Sequence, residues 1–227
     1  MENINKNIRI IHDTINSMVS RSIELVAVTK TFPSQYIVEA LKCGVKHIGE
    51  SRIQEALPKF EQVGEALKGA KKHFIGHLQT NKAKKAVENF DLIQSLDSLD
   101  LAHSINKHAL SCQKIQECLI EVKVSGESSK TGISPENVKD FYCSLCKFSN
   151  IAIRGLMIIP PLLDDIERSR AYFKQGYTLF NEMKEQNDGF DILSMGMSDD
   201  YKIAIEEGSN MIRIGSAIFG SRVYGNC

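Results

Sequence analysis

The chain has 227 residues, 42% of them hydrophobic and 25% charged, which is typical of a soluble globular protein and excludes a disordered or fibrous chain. Lysine and arginine together number 28, as do aspartate and glutamate, so no net charge attracts nucleic acid or an anionic membrane. The longest mostly apolar stretch, residues 155–163, is well short of the ~20 residues that cross a bilayer. We expect a single domain over residues 1–227, because a domain usually holds ~100–200 residues.

The amino-terminal segment has the pattern of an amphipathic helix and not of a targeting signal. Five apolar residues recur there at spacings of three and four, which places them on one helical face: Ile4, Ile8, Ile11, Ile15 and Val19. Polar residues interrupt the segment throughout, so it lacks the continuous apolar core of a signal peptide. We therefore expect a cytoplasmic protein.

The six cysteines of the chain are typical of reduced thiols in such a protein. Cys143 and Cys146 have the Cys-x-x-Cys spacing of half a zinc site, but no second cysteine or histidine pair lies near them in sequence. The pair also falls inside a predicted helix. We predict no metal site.

Apolar, β-branched runs alternate with helical patterns along the rest of the chain. Eight such runs are predicted strands: residues 24–30, 46–50, 72–76, 92–96, 119–124, 151–159, 192–195 and 211–214. Helical patterns lie between them, over residues 34–43, 52–67, 81–89, 99–110, 135–148 and 164–186, with a short helix after Ser198. Pro33 is well placed to begin the first of these helices.

This alternation predicts an α/β fold with a parallel sheet, because no hairpin turn signals join consecutive strands. Eight strand and helix units in a chain of this length favour a closed (β/α)8 barrel, a TIM barrel with an extra N-terminal helix. An open, doubly wound sheet is the alternative. In a barrel of this kind, functional residues lie at the carboxyl ends of the strands, where the βα loops converge.

Lys30 is the reactive residue that ends the first predicted strand. Burial in a barrel mouth disfavours a charged ammonium, and a neutral amine attacks aldehydes. A solvated lysine at a strand end is the alternative interpretation, and sequence position alone does not decide between them.

The loops after the last two predicted strands have the composition of a phosphate site. Residues 211–220 (MIRIGSAIFG) predict a strand, a glycine-containing turn and a short helix, whose free N–H groups attract an anion. In the preceding loop, Ser198 is placed as a helix cap or as a phosphate donor. These two loops form the usual phosphate site of such barrels. Two ordinary turns with a capping serine are the alternative.

A lysine at the end of the first strand and a phosphate site after the last two point to a ligand that carries both an aldehyde and a phosphate. Pyridoxal 5′-phosphate has both groups. Seven segments, in the expected order and over nearly the whole chain, resemble the pyridoxal phosphate homeostasis protein family: AVTK (residues 27–30), IGESRIQEA (48–56), HFIGHLQTNK (73–82), SGESSKTGI (125–133), RGLMIIP (154–160), LSMGMSDD (193–200) and GSNMIRIGSAIFGSR (208–222). The resemblance implies the barrel of the alanine racemase N-terminal domain.

The resemblance also implies roles for individual residues. Lys30 matches the lysine that forms the Schiff base, and Arg213 matches the arginine that faces the pyridine nitrogen. Four residues match the phosphate-binding positions or lie beside them: Met197, Ser198, Gly215 and Ser216. Ser51 stands where the family usually has asparagine, so we expect a polar contact near the cofactor ring to be shortened or lost. Asn210 replaces a more usual threonine.

The function implied by the family is to hold pyridoxal phosphate as an internal aldimine and to limit free aldehyde, without catalytic turnover. A guanidinium only donates hydrogen bonds, so the ring nitrogen opposite Arg213 stays unprotonated and the ring is a weak electron sink. Related racemases add a tyrosine from a carboxyl-terminal domain, for which we expect no room after strand eight. We therefore expect a monomer, with pyridoxal phosphate-dependent apoenzymes as candidate partners. An amino-acid racemase of the same barrel and a Schiff-base aldolase acting on a sugar phosphate are the alternatives.

Other polar residues near the predicted strand ends have more than one interpretation. His77 and Asn81, after the third strand, line the barrel mouth or cap a helix. Lys130 attracts an anion at the mouth or is simply solvated. Three lysines on one short helix have no aromatic residues between them and predict a solvated face, with no nucleic acid as partner: Lys82, Lys84 and Lys85.

Overall fold

Eight parallel strands close into a barrel in chain order in the computed structural model, which describes residues 2–124, 131–161 and 163–220. The strands are β1 (Glu24–Val28), β2 (His47–Glu50), β3 (Lys71–Phe74), β4 (Leu92–Leu96), β5 (Gln116–Val122), β6 (Ile151–Ile158), β7 (Ile192–Ser194) and β8 (Met211–Ile214). The barrel closes where β8 pairs with β1, with Arg213 opposite Val26. The predicted (β/α)8 barrel is confirmed, and the open doubly wound alternative is wrong.

Helices separate the strands and surround the barrel. They are α1 (Glu2–Met18), α2 (Ser34–Lys42), α3 (Ile53–Val63), α4 (Ala83–Asn89), α5 (Leu99–Ser111), α6 (Val138–Leu145), α7 (Ser169–Lys184), α8 (Tyr201–Glu206) and α9 (Ser216–Phe219). The extra N-terminal helix is confirmed: α1 packs against α2, α8 and α9. Its predicted apolar face is buried there, since Ile4, Ile8, Ile11 and Ile15 are each less than 5% exposed.

Several element boundaries differ from the predicted ones. The first strand ends at Val28 and not at Lys30, because Thr31 takes a left-handed backbone conformation (φ +69°) that no strand accommodates. In the predicted helix over residues 52–67 the α-helix ends at Val63, because Gly64 also has a positive φ (+54°), and a 3₁₀-helix follows over Gly64–Leu67. Strand β5 begins at Gln116, three residues before the predicted start, because polar residues there conceal the strand pattern.

The barrel interior combines apolar and polar side chains. One apolar cluster is formed by inward residues of five strands: Val26, Leu92, Leu119, Met157 and Met211. Four polar side chains of other strand positions are also buried, at 4% exposure or less: His73, Gln94, Ser194 and Arg213. Branched apolar residues usually fill such barrels, so the buried polar set is an exception that requires hydrogen-bond partners.

Three further properties concern the residues that the structure describes. Among these residues, no helix is long and apolar enough to cross a membrane. Their histidine, cysteine and carboxylate side chains form no cluster of three or more that would hold a metal ion. Cys143 and Cys146 lie in and directly after α6, where both are exposed.

Candidate functional site

A cavity of about 220 Å³ lies at the carboxyl end of the barrel, against the loops that follow β1, β7 and β8. Its lining includes six of the seven predicted site residues: Lys30, Met197, Ser198, Arg213, Gly215 and Ser216. Apolar side chains and one carboxylate complete the described lining: Val28, Phe32, Ile75, Ile159 and Asp199. The structure therefore brings together residues that lie almost 190 positions apart in sequence.

Lys30 lies in the loop directly after β1, half-buried and against the cavity. The loop around it is held at two points. The N–H of Phe32 donates to the carbonyl of Thr29 (3.1 Å), and the N–H of Thr31 donates to the Glu55 carboxylate. These contacts fix the backbone on both sides of Lys30 and so direct this side chain towards the cavity.

A buried ionic cluster beneath this loop was not predicted from the sequence. Lys59 Nζ donates to the carbonyl of Thr29 (2.7 Å), to Glu50 Oε1 (3.0 Å) and to Glu55 Oε1 (2.5 Å). Thr29 Oγ1 also donates to Glu50 Oε1 (2.7 Å). All three hydrogens of the Lys59 ammonium are thus engaged. Of these two lysines, Lys30 is the one that lines the cavity.

Glu50 is fully buried within this cluster. Burial raises the pKa of its carboxyl, whereas the neighbouring Lys59 charge opposes the rise. Its second oxygen, Oε2, has no hydrogen-bond partner among the described residues. The only sequence signal for the cluster was the spacing of Glu55 and Lys59, four residues apart on α3, which is typical of a helical ion pair.

Arg213 lies on β8 with its guanidinium beside the cavity. Nη1 donates to Ser194 Oγ (2.7 Å) and Nη2 donates to the carbonyl of Ile158 (3.0 Å). Burial lowers the pKa of Arg213 to about 10, against the opposing effects of Asp200 and Glu121. At neutral pH the guanidinium therefore stays charged, and it presents only donors to the cavity.

Backbone N–H groups after β8 converge on Ser198. The N–H groups of Gly215 and Ala217 both donate to Ser198 Oγ, at 3.3 and 3.2 Å. Two backbone N–H groups at the start of α9 thus point to one position beside the loop that follows β7. Such a pair of donors is suited to a phosphate oxygen. A Cβ added to Gly215 would lie 3.4 Å from the Val28 carbonyl, an ordinary contact.

The seventh predicted site residue, Ser51, is not among the described lining residues. It follows β2 and packs against Gly76, where an added Cβ would lie only 2.3 Å from the Ser51 carbonyl oxygen. The role of Ser51 stays a prediction. His77 is also outside the lining; it is exposed, with Nδ1 3.4 Å from Asp97 Oδ2. Lys130 lies outside the described residues.

Comparison with known proteins identifies the family. A sequence profile of the alanine racemase N-terminal domain matches residues 1–223. A pyridoxal phosphate homeostasis protein of Aquifex aeolicus is 43% identical over 202 residues, which is 88% of each chain. The chain belongs to the pyridoxal phosphate homeostasis protein family. A member from Escherichia coli K12 is 34% identical over 233 residues and 99% of each chain.

Solved structures extend the comparison. PipY of Synechococcus elongatus, solved with pyridoxal phosphate bound, is 34% identical, with a TM-score of 0.86 over 96% of this chain and 100% of PipY. An alanine racemase of Clostridium difficile is similar in fold alone, at 17% identity and a TM-score of 0.76. The family likeness predicted from the sequence motifs is confirmed.

The groups in and beside the cavity fit an aldehyde that carries a phosphate. Lys30 provides an amine, the N–H groups of Gly215 and Ala217 provide anion donors, and Arg213 provides a charged donor. The apolar side chains of Val28, Ile75 and Ile159 provide contact surface for a flat ring. The described lining includes no tyrosine, histidine or cysteine.

Proposed function

We propose that this protein binds pyridoxal 5′-phosphate at the carboxyl end of its barrel and acts in the homeostasis of that cofactor. The observation that carries the proposal is the meeting of Lys30, Arg213 and the Ser198 loop in one cavity. When bound, pyridoxal phosphate supplies a reactive aldehyde and a ring that stabilises carbanions. The names of the 43% identical relative and of the PipY structure with the cofactor bound support the same ligand.

Lys30 would bind the aldehyde carbon covalently through Nζ. The amine lies in a loop held by Thr29, Phe32 and the Lys59 cluster, so its backbone is fixed before the ligand arrives. Lys59 itself is committed to three oxygen acceptors. Lys30 is therefore the residue through which we expect the cofactor to be held.

The phosphate would lie at Ser198, Gly215 and Ser216, with Met197 beside them. The two N–H groups that now meet at Ser198 Oγ would donate to a phosphate oxygen, and the hydroxyl would add a third donor. Ser216 is exposed and Met197 is 38% exposed, so the ligand would reach this edge of the cavity from solvent.

Arg213 would contact the pyridine nitrogen. Because the guanidinium is charged and donates only, the nitrogen opposite it would accept a hydrogen bond and stay unprotonated. An unprotonated ring withdraws electrons weakly, which disfavours carbanion chemistry. With such a ring, racemisation depends on a second positioned acid or base beside Lys30.

Among the described residues, the cavity lining does not place a second acid or base opposite Lys30, which supports a non-catalytic function. A racemase must remove a proton from one face of the substrate carbon and return a proton to the other face, and Lys30 serves only one face. In the described lining the remaining carboxylate is Asp199, which is exposed and lies beside Ser198 at the phosphate edge. We therefore propose a non-catalytic function, in preference to a racemase or a Schiff-base aldolase.

The proposal extends to how the protein works in the cell. We expect a cytoplasmic monomer that passes the cofactor to pyridoxal phosphate-dependent apoenzymes, since exposed residues at the cavity edge leave the ligand accessible. Light scattering of the loaded protein tests the monomer. A stable dimer would contradict it.

Absorbance spectroscopy tests the function itself. The wild-type protein mixed with pyridoxal phosphate should show the visible band of a lysine imine, and Lys30→Ala and Lys30→Arg should not. Lys84→Ala, a change on the exposed face of α4, is the control and should keep the full band. A full band in both Lys30 variants would refute the assignment, and a wild-type protein without affinity for the cofactor would refute the function.

A further inference from the structure

A continuous chain of hydrogen-bonded side chains crosses the barrel interior, from Arg213 at the carboxyl end to the amino-terminal ends of the first strands. Each contact is 2.7 to 2.9 Å long. The six participants come from six different strands: Arg213 of β8, Ser194 of β7, Gln94 of β4, His73 of β3, His47 of β2 and Glu24 of β1. These hydrogen bonds thus connect the carboxyl end of the barrel with its amino-terminal end.

The first half of the chain has a defined donor direction. Arg213 Nη1 can only donate, so Ser194 Oγ accepts from it at 2.7 Å. The Ser194 hydroxyl then donates to Gln94 Oε1, also at 2.7 Å. With its oxygen engaged by Ser194, the Gln94 amide presents its nitrogen to the next residue.

The second half continues in the same direction. Gln94 Nε2 donates to His73 Nδ1 (2.9 Å), which requires the His73 hydrogen to lie on Nε2. That hydrogen is donated to His47 Nδ1 (2.9 Å), and His47 Nε2 donates to Glu24 Oε2 (2.8 Å). A donor-only guanidinium and an acceptor-only carboxylate end the chain, so every hydrogen in it has an acceptor.

Burial makes this arrangement costly to disturb. Gln94 and Ser194 are 0% exposed and His73 is 1% exposed, so water cannot replace a lost partner. Nη2 of Arg213 donates to the Ile158 carbonyl. The guanidinium therefore has its plane set by two acceptors on neighbouring strands of the barrel.

We propose that Ser194 and Gln94 are positioning residues for the cofactor, which hold the Arg213 guanidinium in the orientation that receives the pyridine nitrogen. The remainder of the chain, through His73 and His47 to Glu24, fixes which way the Gln94 amide faces. This inference rests on the proposed function, because it requires Arg213 to contact the cofactor ring.

The first test determines the direction of the hydrogen bonds in the protein without the cofactor. ¹⁵N NMR of the histidine side chains in the ligand-free wild-type protein should find His73 neutral, with its hydrogen on Nε2. In Gln94→Glu the carboxylate accepts only, so the hydrogen of His73 should appear on Nδ1. A wild-type His73 with its hydrogen on Nδ1 would overturn the inference, because the chain would then not run from Arg213.

The second test compares two buried serines. Ser194→Ala removes the acceptor of Arg213 and should weaken pyridoxal phosphate binding about tenfold, the usual effect of one hydrogen bond to a charged group. Ser95→Ala is the matched control: Ser95 is also 0% exposed, on β4, but its Oγ has no partner among the described residues. The control should keep wild-type affinity.

A ligand analogue separates positioning from general support of the fold. Replacing the ring nitrogen by carbon, as in 1-deazapyridoxal phosphate, removes the group that Arg213 contacts. The loss caused by Ser194→Ala should then largely disappear, whereas equal losses for both ligands would overturn the inference. A wild-type protein that binds no pyridoxal phosphate would overturn the proposed function and this inference with it, while an unchanged affinity in Ser194→Ala would overturn the inference alone.

Discussion

Acidification should destabilise this protein through one buried histidine. His73 is 1% exposed, and burial lowers its pKa from 6.5 to about 3, with the charges of its neighbours as smaller causes. In the unfolded chain His73 therefore binds a proton near pH 6.5, whereas in the folded protein it binds this proton only near pH 3. Because the unfolded state binds more protons in this window, stability falls as the pH falls from 6.5 towards 3.

The size of the effect follows from the two pKa values. Each pH unit below 6.5 costs up to about 1.4 kcal/mol of unfolding free energy for one such group. Between pH 7 and pH 5 the His73 contribution amounts to about 2 kcal/mol, because the unfolded ring is only partly protonated above its own pKa. The pKa of His47 is also lowered by burial, so it adds in the same direction.

Urea unfolding at pH 7 and pH 5 measures this loss. In His73→Gln the neutral amide cannot titrate, so this variant should lose about 2 kcal/mol less than the wild-type protein over the same interval. Because each protein is compared with itself at the two pH values, a destabilisation by the substitution that is the same at both pH values cancels. His103→Gln, on the exposed side of α5, is the control and should keep the wild-type loss. Equal losses in the wild-type protein and His73→Gln would show that His73 does not cause the loss of stability.

Three further predictions concern the phosphate site, the barrel and catalysis. Ser198→Ala removes the hydroxyl at the proposed phosphate site and should weaken cofactor binding about 10- to 100-fold, measured by titration, whereas Lys84→Ala should not. Gly155→Ala should cost about 3 kcal/mol or more in urea unfolding, because its Cβ would lie 1.8 Å from the Ile192 carbonyl oxygen at φ +149°. Gly44→Ala, with φ +85° and no described atom within 4 Å, should cost only about 1 kcal/mol, and equal costs would contradict the packing argument. Loaded protein incubated with L-alanine in D₂O should form no D-alanine at an enzymatic rate; turnover of ~1–10³ per second would contradict the non-catalytic function.

The sequence was sufficient to predict the barrel because its strands are nearly continuous apolar runs and its helices are amphipathic. Strand-end patterns also identified Lys30, Ser198 and Gly215 in the lining, whereas Met197, Arg213 and Ser216 were assigned through the family resemblance. The limit of β1 was harder to place. The β-branched pattern continues through Thr29, but the chain turns at Thr31, whose positive φ no local rule anticipates in a threonine.

The buried polar chain was beyond sequence reasoning for a physical reason. Ser194 and Gln94 are 100 positions apart, and their contact exists only because the barrel closes and brings β4 and β7 towards the same axis. A glutamine within an apolar run carries no sign of which partner it will find. The contact between Lys59 and Glu50 could not be predicted for the same reason, because it joins a helix to a strand that the helix covers in the folded barrel.

The position of the covalent link decides whether Lys30 holds the cofactor. The wild-type protein loaded with pyridoxal phosphate is reduced with borohydride, digested, and its peptides are sequenced by mass spectrometry. We expect one stoichiometric pyridoxyl adduct on Lys30 and none on Lys59, whose ammonium is held by three oxygens. An adduct placed mainly on another lysine, or an unmodified Lys30, would contradict this expectation.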